Sequence, residues 1–240
     1  MQENTPEIFD EWLVYNKILE KDYMFHSEIF SKIQKIISSK FGEKSYKLLD
    51  MGCGDAYCIE KFLTNTGLNY YCGVDKSNKA LSLAEKNMSK DNIKTLLLNS
   101  DFTESLDKIN DDFDVVLAGY SIHHLESFEE KKTLLHKSIE KLQNDGIFVF
   151  YDLIQKDDES LEQYHERYIK NCKDNWESIG VKELDQISNH IKKNDYPLTL
   201  QGWKSIFQSS PVNLEPIIIE DKNQYYVLMY FQKNTKISST

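Results

Sequence analysis

The run Tyr46-Lys-Leu-Leu-Asp50, breaking into Met51-Gly-Cys-Gly54, constrains this chain more than any other stretch. An apolar run stopped by paired glycines predicts a buried strand and a tight turn. Ile59, Phe62 and Leu63 follow at helical spacing, and Gly67 closes that helix. A strand–turn–helix step cannot bury its apolar faces alone. It needs neighbours of the same kind stacked beside it.

The chain supplies them. Asn69–Asp75 predicts a second strand, and Ser77 caps a helix carrying Ala80, Leu81, Ala84 and Met88. Lys94–Asn99 and Phe113–Ala118 predict the third and fourth strands. Ser127 and Glu130 have the spacing of a capping box, ahead of an apolar face of Leu134, Leu135, Ile139 and Leu142. Gly146–Ile154 predicts the fifth strand. Strands alternating with helices imply an α/β fold with a doubly wound, mostly parallel sheet and right-handed crossovers.

The flanks read differently. Residues 5–40 predict helix, capped by Thr5 with Pro6 in the first turn and Ile29, Phe30, Ile33, Ile36 and Ile37 on one face. Residues 155–198 are charged, aromatic and helical in pattern. Thr199 caps a short helix containing Trp203 and Phe207. Strands at 212–219 and 225–232, joined by Glu220-Asp-Lys-Asn223, predict an antiparallel pair. The expected organisation is one domain over 1–240: a helical cap at 1–42, a core at 43–154, a helical lid insertion at 155–198, and a final helix and strands at 199–240. The sheet has seven strands, with the last antiparallel.

Composition narrows the function classes. Hydrophobic residues make up 40% and charged residues 28%, which is ordinary for a globular protein. The net charge of −10 argues against nucleic acid as a partner, because phosphates call for a basic face. No apolar run is long enough to span a bilayer, and the acidic N-terminus has no leader pattern. Cys53, Cys58, Cys72 and Cys172 have neither disulfide-framework nor zinc spacing, so reduced thiols in the cytoplasm are expected. No cluster of Asp, Glu and His is visible in the sequence, and no metal is expected.

The glycine turn and Val74-Asp75 form a nucleotide-cofactor layout. Glycines let a ligand approach the backbone, the next helix offers free N–H groups, and an acid ending the second strand suits ribose hydroxyls. A dinucleotide site wants a small sixth residue, but the hexad Gly52-Cys-Gly-Asp-Ala-Tyr57 ends in tyrosine. The stretch Leu49-Asp50-Met51-Gly52-Cys53-Gly54 instead resembles the glycine motif of the class I S-adenosylmethionine-dependent methyltransferases, with Ala56 where that family often has glycine. Ser100-Asp101-Phe102, Ala118-Gly-Tyr-Ser-Ile-His-His-Leu125 and the turn before the fifth strand are similar to further landmarks of the family.

The resemblance implies S-adenosylmethionine as cofactor, S-adenosylhomocysteine as product, and a small-molecule acceptor. Protein or RNA methylation, or a non-catalytic cofactor-binding subunit, are the alternatives. It implies cofactor contacts from Asp50, Gly52, Cys53, Gly54, Asp75, Lys76, Ser77, Asp101, Phe102, Gly119 and Tyr120, with Tyr120 either a pocket wall or core. His123 and His124 stand past the fourth strand as candidates for proton transfer or as hydrogen-bonded buried histidines. In related phosphoethanolamine methyltransferases an N-terminal tyrosine latches to the second of these, which would pair His124 with Tyr23. His26 and Tyr15 are candidate cap residues facing the site. Arg167, the only arginine, either grips an anionic acceptor or pairs with Glu162 or Glu166. Acids near 157–162 either favour a cationic amine or form a solvated face. The assembly is expected to be a monomer or homodimer.

S-adenosylhomocysteine is expected to bind at micromolar concentration and raise the melting temperature, and NAD to do neither. Calorimetric titration with both ligands tests this. Binding of NAD alone would overturn the reading.

Overall fold

The structure is a computed structural model and describes residues 14–89, 93–210, 216–220 and 224–233. Thr5, Pro6, the start of the 212–219 run and the turn at 221–223 lie outside those residues.

The core elements are β1 (Tyr46–Met51), α2 (Tyr57–Leu63), β2 (Leu68–Asp75), α3 (Asn78–Met88), β3 (Lys94–Asn99), α4 (Phe102–Lys108), β4 (Phe113–Gly119), α5 (Phe128–Glu140) and β5 (Leu142–Gln155). Before them runs α1 (His26–Phe41). After them come α6 (Leu161–Asn175), α7 (Val181–Asn194), β6 (Leu198–Thr199), α8 (Leu200–Gln208), β7 (Ile217–Glu220) and β8 (Tyr226–Gln232). The sheet order is β3-β2-β1-β4-β5-β8-β7, parallel except that β8 runs antiparallel to β5 and β7. The two-residue β6 pairs with β5 and was not expected.

Alternation along the strands divides the core. Leu49, Met51, Val116, Ala118, Phe148 and Phe150 face α4, α5 and α8. Leu48, Val115, Leu117, Ile147 and Val149 face α1, α2 and α3. Both faces are covered, so the central strands are buried throughout, as a parallel sheet requires. A third cluster touches the sheet only at Leu153 of β5 among the described residues. It joins Val14 and Ile18 to Tyr164, Tyr168, Trp176 and Ile191 of the lid.

Local signals held where they were strong. Ser77 Oγ accepts from the Ala80 N–H at 3.2 Å, and the Ser127–Glu130 capping box is closed in both directions. The expected continuous N-terminal helix is broken. Residues 14–20 are helical, residues 21–25 turn, and α1 starts at His26. Asp22 and Phe25 take left-handed backbone at φ 55° and 60°, and the Asp22 carboxylate accepts the Ser27 N–H at 2.9 Å. A carboxylate that bonds its local backbone competes with helix, and Asp tolerates this conformation. The break turns the 14–20 stretch over the carboxyl ends of the strands, where ligands bind in such sheets.

Trp203 is fully buried, packs on Phe150 at 4.8 Å between ring centroids and donates to the Leu153 carbonyl at 3.2 Å. Trp203→Ala is expected to cost about 3–5 kcal/mol in urea denaturation. A loss below about 1 kcal/mol would show that α8 is not integral to the core.

Candidate active site

The glycine turn is held by the end of β2. The N–H groups of Gly52 and Cys53 both donate to the Val74 carbonyl, at 2.9 and 3.0 Å. Asp75 completes the tie: its carboxylate accepts the Gly54 N–H at 3.0 Å and the Ser77 N–H at 2.8 Å. Gly52 sits at φ +80°, and a Cβ there would lie 2.4 Å from Ser121 Cβ. The loop therefore packs on the segment after β4, and Ser121 Oγ donates to the Met51 carbonyl at 3.1 Å. Ala56, just before α2, adopts φ 56°, a conformation glycine takes without strain.

Asp50 lies beneath the turn, buried, and accepts the Tyr71 hydroxyl at 2.9 Å. Burial pushes its carboxyl up to about 7, the Tyr71 bond opposing and the nearby Asp75 adding. Across the next two loops, Lys76 Nζ meets Asp101 at 2.8 Å. Asp101 also caps α4 through the Thr103 N–H, and these contacts, Lys76 first, hold its carboxyl below the usual range. Phe102 reaches back to within 3.4 Å of the position a Gly52 Cβ would take.

A cavity of about 640 Å³ opens from this turn. Asp50, Gly52 and Cys53 line it, together with Gly119, Tyr120 and Tyr151 and with the group His123, His124, His190 and Asp195. Its roof comes from Tyr15, Ile18 and His26 on one side and Tyr168 and Trp176 on the other. Tyr120 holds left-handed backbone at φ 45°, and its hydroxyl donates to the Met24 carbonyl at 2.8 Å. His26 is buried edge-on to Tyr120, and its Nδ1 has no hydrogen bond among the described residues. Burial lowers its imidazole to about 4, with Asp22 pulling the other way.

The two adjacent histidines diverge. His123 is buried, and its Nδ1 meets Asp152 Oδ1 at 2.5 Å. Burial alone would lower that imidazole, but the Asp152 carboxylate outweighs it and raises it. His124 stays partly exposed, with Nδ1 3.1 Å from the Asn194 carbonyl.

Residues 48–146 match a family model described as a methyltransferase domain. That stretch runs from the strand ahead of the glycine turn to the start of β5. Over those residues the chain carries a methyltransferase domain. Among solved structures, the plantazolicin methyltransferase BamL, in complex with a triazolic desmethylPZN analog and S-adenosylhomocysteine, is similar at TM-score 0.68 and 13% identity, over 92% of this chain and 89% of that one. The plantazolicin methyltransferase BpumL is similar at 0.65 and 16%, over 92% and 88%. The magnesium protoporphyrin IX methyltransferase of Synechocystis PCC 6803 follows at 0.62 and 11%, over 96% and 93%. At such identities the likeness is one of fold. No curated protein matches the sequence.

The methyltransferase fold gathers most of the expected residues around one loop system. Asp50, Gly52, Cys53, Gly119, Tyr120, His26, His123 and His124 line the cavity. Gly54, Asp75, Lys76, Ser77, Asp101 and Phe102 are not among its lining residues, although Gly54 and Asp75 are joined by a hydrogen bond within the turn. Three expectations need correction. Tyr23 does not latch to His124. Its hydroxyl bonds Ser178 Oγ at 2.8 Å, and its ring stacks on Trp176 at 5.3 Å. Arg167 does not face the cavity. It forks onto Glu159 at 2.7 and 2.9 Å under the Tyr225 ring, so it is a structural cation paired neither with Glu162 nor with Glu166. The absence of an Asp–Glu–His cluster also fails, because the fold brings His123, His124 and Asp195 within mutual reach.

Asp152 and Asp195 were missed altogether. Asp152 carried a readable signal, as the one acid inside the apolar run Ile147–Ile154. Asp195 carried none, since it follows a helix end like many solvated acids.

Two variants test this geometry. Ala56→Gly is expected to stabilise the fold by about 1 kcal/mol in urea, by relieving the left-handed alanine. No gain would mean that the turn is not strained there. The lowered His26 imidazole takes its proton later than the unfolded chain does. Its contribution is therefore full above about pH 6.5 and drains as pH falls toward 4, by about 2 kcal/mol between pH 7.5 and 5. His26→Gln should flatten that part of the stability–pH curve, and an unchanged slope would contradict the assignment.

Proposed function

We propose that this methyltransferase transfers a methyl group from S-adenosylmethionine to a small molecule held between the glycine turn and the lid. One observation carries the reading: a single cavity joins the cofactor turn to a group of histidines and a carboxylate, roofed by the segment ahead of α1 and by the lid. Such a volume is that of a small-ligand site. The roof is clamped by Lys17 on Glu183 at 2.6 Å and by Tyr23 on Ser178, contacts that favour a compact acceptor over a protein or RNA chain.

In this reading Asp75 receives the ribose hydroxyls, and Asp101 and Phe102 meet the adenine, with Lys76 and Ser77 beside them. Gly52, Cys53, Gly54, Gly119 and Tyr120 border the methionine half. The acceptor atom approaches from the side of His123 and His124. It attacks the sulfonium methyl in line, the carbon–sulfur bond breaks, and sulfur keeps the electron pair. Alignment and exclusion of water supply most of the rate. An acceptor that arrives protonated gives up its proton on the histidine side.

Asp75→Ala is expected to lose about 1.5–3 kcal/mol of S-adenosylhomocysteine affinity, the worth of hydrogen bonds to a charged group. Unchanged affinity in a folded variant would place the ribose elsewhere. His124→Ala is expected to lower turnover about 10²–10⁴-fold with little change in that affinity. The assay follows S-adenosylhomocysteine release over a panel of small hydroxyl and amine acceptors, with RNA and protein as competitors for the role. Turnover on RNA or protein alone would overturn the small-molecule reading.

A further inference from the structure

Three histidines converge on one buried carboxylate in the acceptor wall. Asp195 Oδ1 lies 3.4 Å from His124 Nδ1, 3.8 Å from His123 Nε2 and 3.9 Å from His190 Nε2. The Asp195 side chain is only 4% exposed, and Oδ1 makes no hydrogen bond among the described residues. A buried carboxylate oxygen without a hydrogen-bond donor is rare and calls for an explanation.

His123 is held as a metal-ligating histidine is held. Its Nδ1 side is fixed by Asp152, which is fully buried and also accepts the backbone N–H groups of His123 and Leu153, at 3.0 and 2.8 Å. With the Nδ1 proton given to that carboxylate, Nε2 is left to face Asp195 with its lone pair. This carboxylate–histidine arrangement fixes the tautomer and ring orientation at metal sites.

The spacing fits as well. A tetrahedral ion with bonds of about 2.0–2.2 Å holds neighbouring ligand atoms roughly 3.3–3.6 Å apart. The Asp195 oxygen, at 3.4 to 3.9 Å from the three nitrogens, needs to close by only a few tenths of an ångström, and the ligand atoms of His123, His124 and Asp195 all lie within 4.8 Å of one another.

We propose that His123, His124 and Asp195, with His190 completing the set, bind a divalent transition-metal ion of the zinc class. Nitrogen and carboxylate donors without thiolate suit zinc, cobalt or nickel. His124 Nδ1 exchanges its contact with the Asn194 carbonyl for the ion, or the ring presents its other nitrogen. All four residues line the cavity, so the ion is reachable from it. The site stands on side-chain placement alone. Its role rests on the acceptor-side reading above: a hydroxyl bound to the ion gives its proton to water more readily and attacks as the oxyanion.

The test is a titration of the chelator-stripped full chain with cobalt(II), followed by its visible ligand-field absorption, and with zinc by calorimetry. One equivalent is expected to bind at micromolar concentration or tighter. Asp195→Asn and the surface variant His190→Ala are each expected to weaken binding about 10–100-fold. S-adenosylhomocysteine affinity, measured in parallel, should not change in either. Absence of saturable one-equivalent binding by chain that still binds S-adenosylhomocysteine would overturn the proposal, as would equal metal affinity in both variants. Metal binding without S-adenosylhomocysteine binding would support the site and count against the cofactor reading instead.

Discussion

Three backbone N–H groups handed to the end of β2 set the shape of this protein's site. Gly52 and Cys53 give theirs to the Val74 carbonyl, and Gly54 gives its own to the Asp75 carboxylate. A turn anchored this way cannot drift from the neighbouring strand. Gly52 can therefore lie against Ser121, which brings the segment after β4 alongside it. The cavity begins in the space left between these two segments. The strain of the left-handed backbone at Ala56 and Tyr120 is borne within that same junction.

A separate apolar core makes the roof. Val14 and Ile18 pack with Tyr164, Tyr168 and Trp176, and among the described residues no strand of the central sheet except β5, through Leu153, supplies a buried residue to that cluster. Its polar fastenings are few: Lys17 to Glu183 and Tyr23 to Ser178. An exposed ion pair contributes about 0–1 kcal/mol and a neutral hydrogen bond about 0.5–1.5 kcal/mol, so the roof is held chiefly by its aromatic packing. A roof with a small core of its own is suited to opening for substrate exchange without disturbing the sheet.

Much of this was legible in the residues. β1 to β5 and the helices α2, α3 and α5 carry strong periodicity, whereas the seven-residue α4, capped by Asp101, was not expected; each helix start with a Ser or Thr cap at Ser77, Ser127 or Thr199 formed where the caps lie. The glycine turn was legible because few backbones need Gly-x-Gly between a buried strand and a helix. What escaped depends on long-range contacts or on conformations the sequence does not mark. Nothing in Asp22-Tyr-Met-Phe25 announces two left-handed residues, so the helix break there was invisible. Arg167 found Glu159 across a turn, because the chain from β5 folds back onto α6. The convergence of Asp195 and His190 on His123 and His124 depends on how α7 crosses the end of β4, and no local pattern encodes a crossing.

The central claim is that one cavity serves both the methyl donor and its acceptor. A crystal structure of the chain with S-adenosylhomocysteine bound tests it most directly. The account predicts the ribose at Asp75 and the sulfur inside the cavity beside Gly52 and Tyr120, facing His124 across open space. A ligand whose sulfur points out of the cavity, or one bound away from the glycine turn, would contradict it.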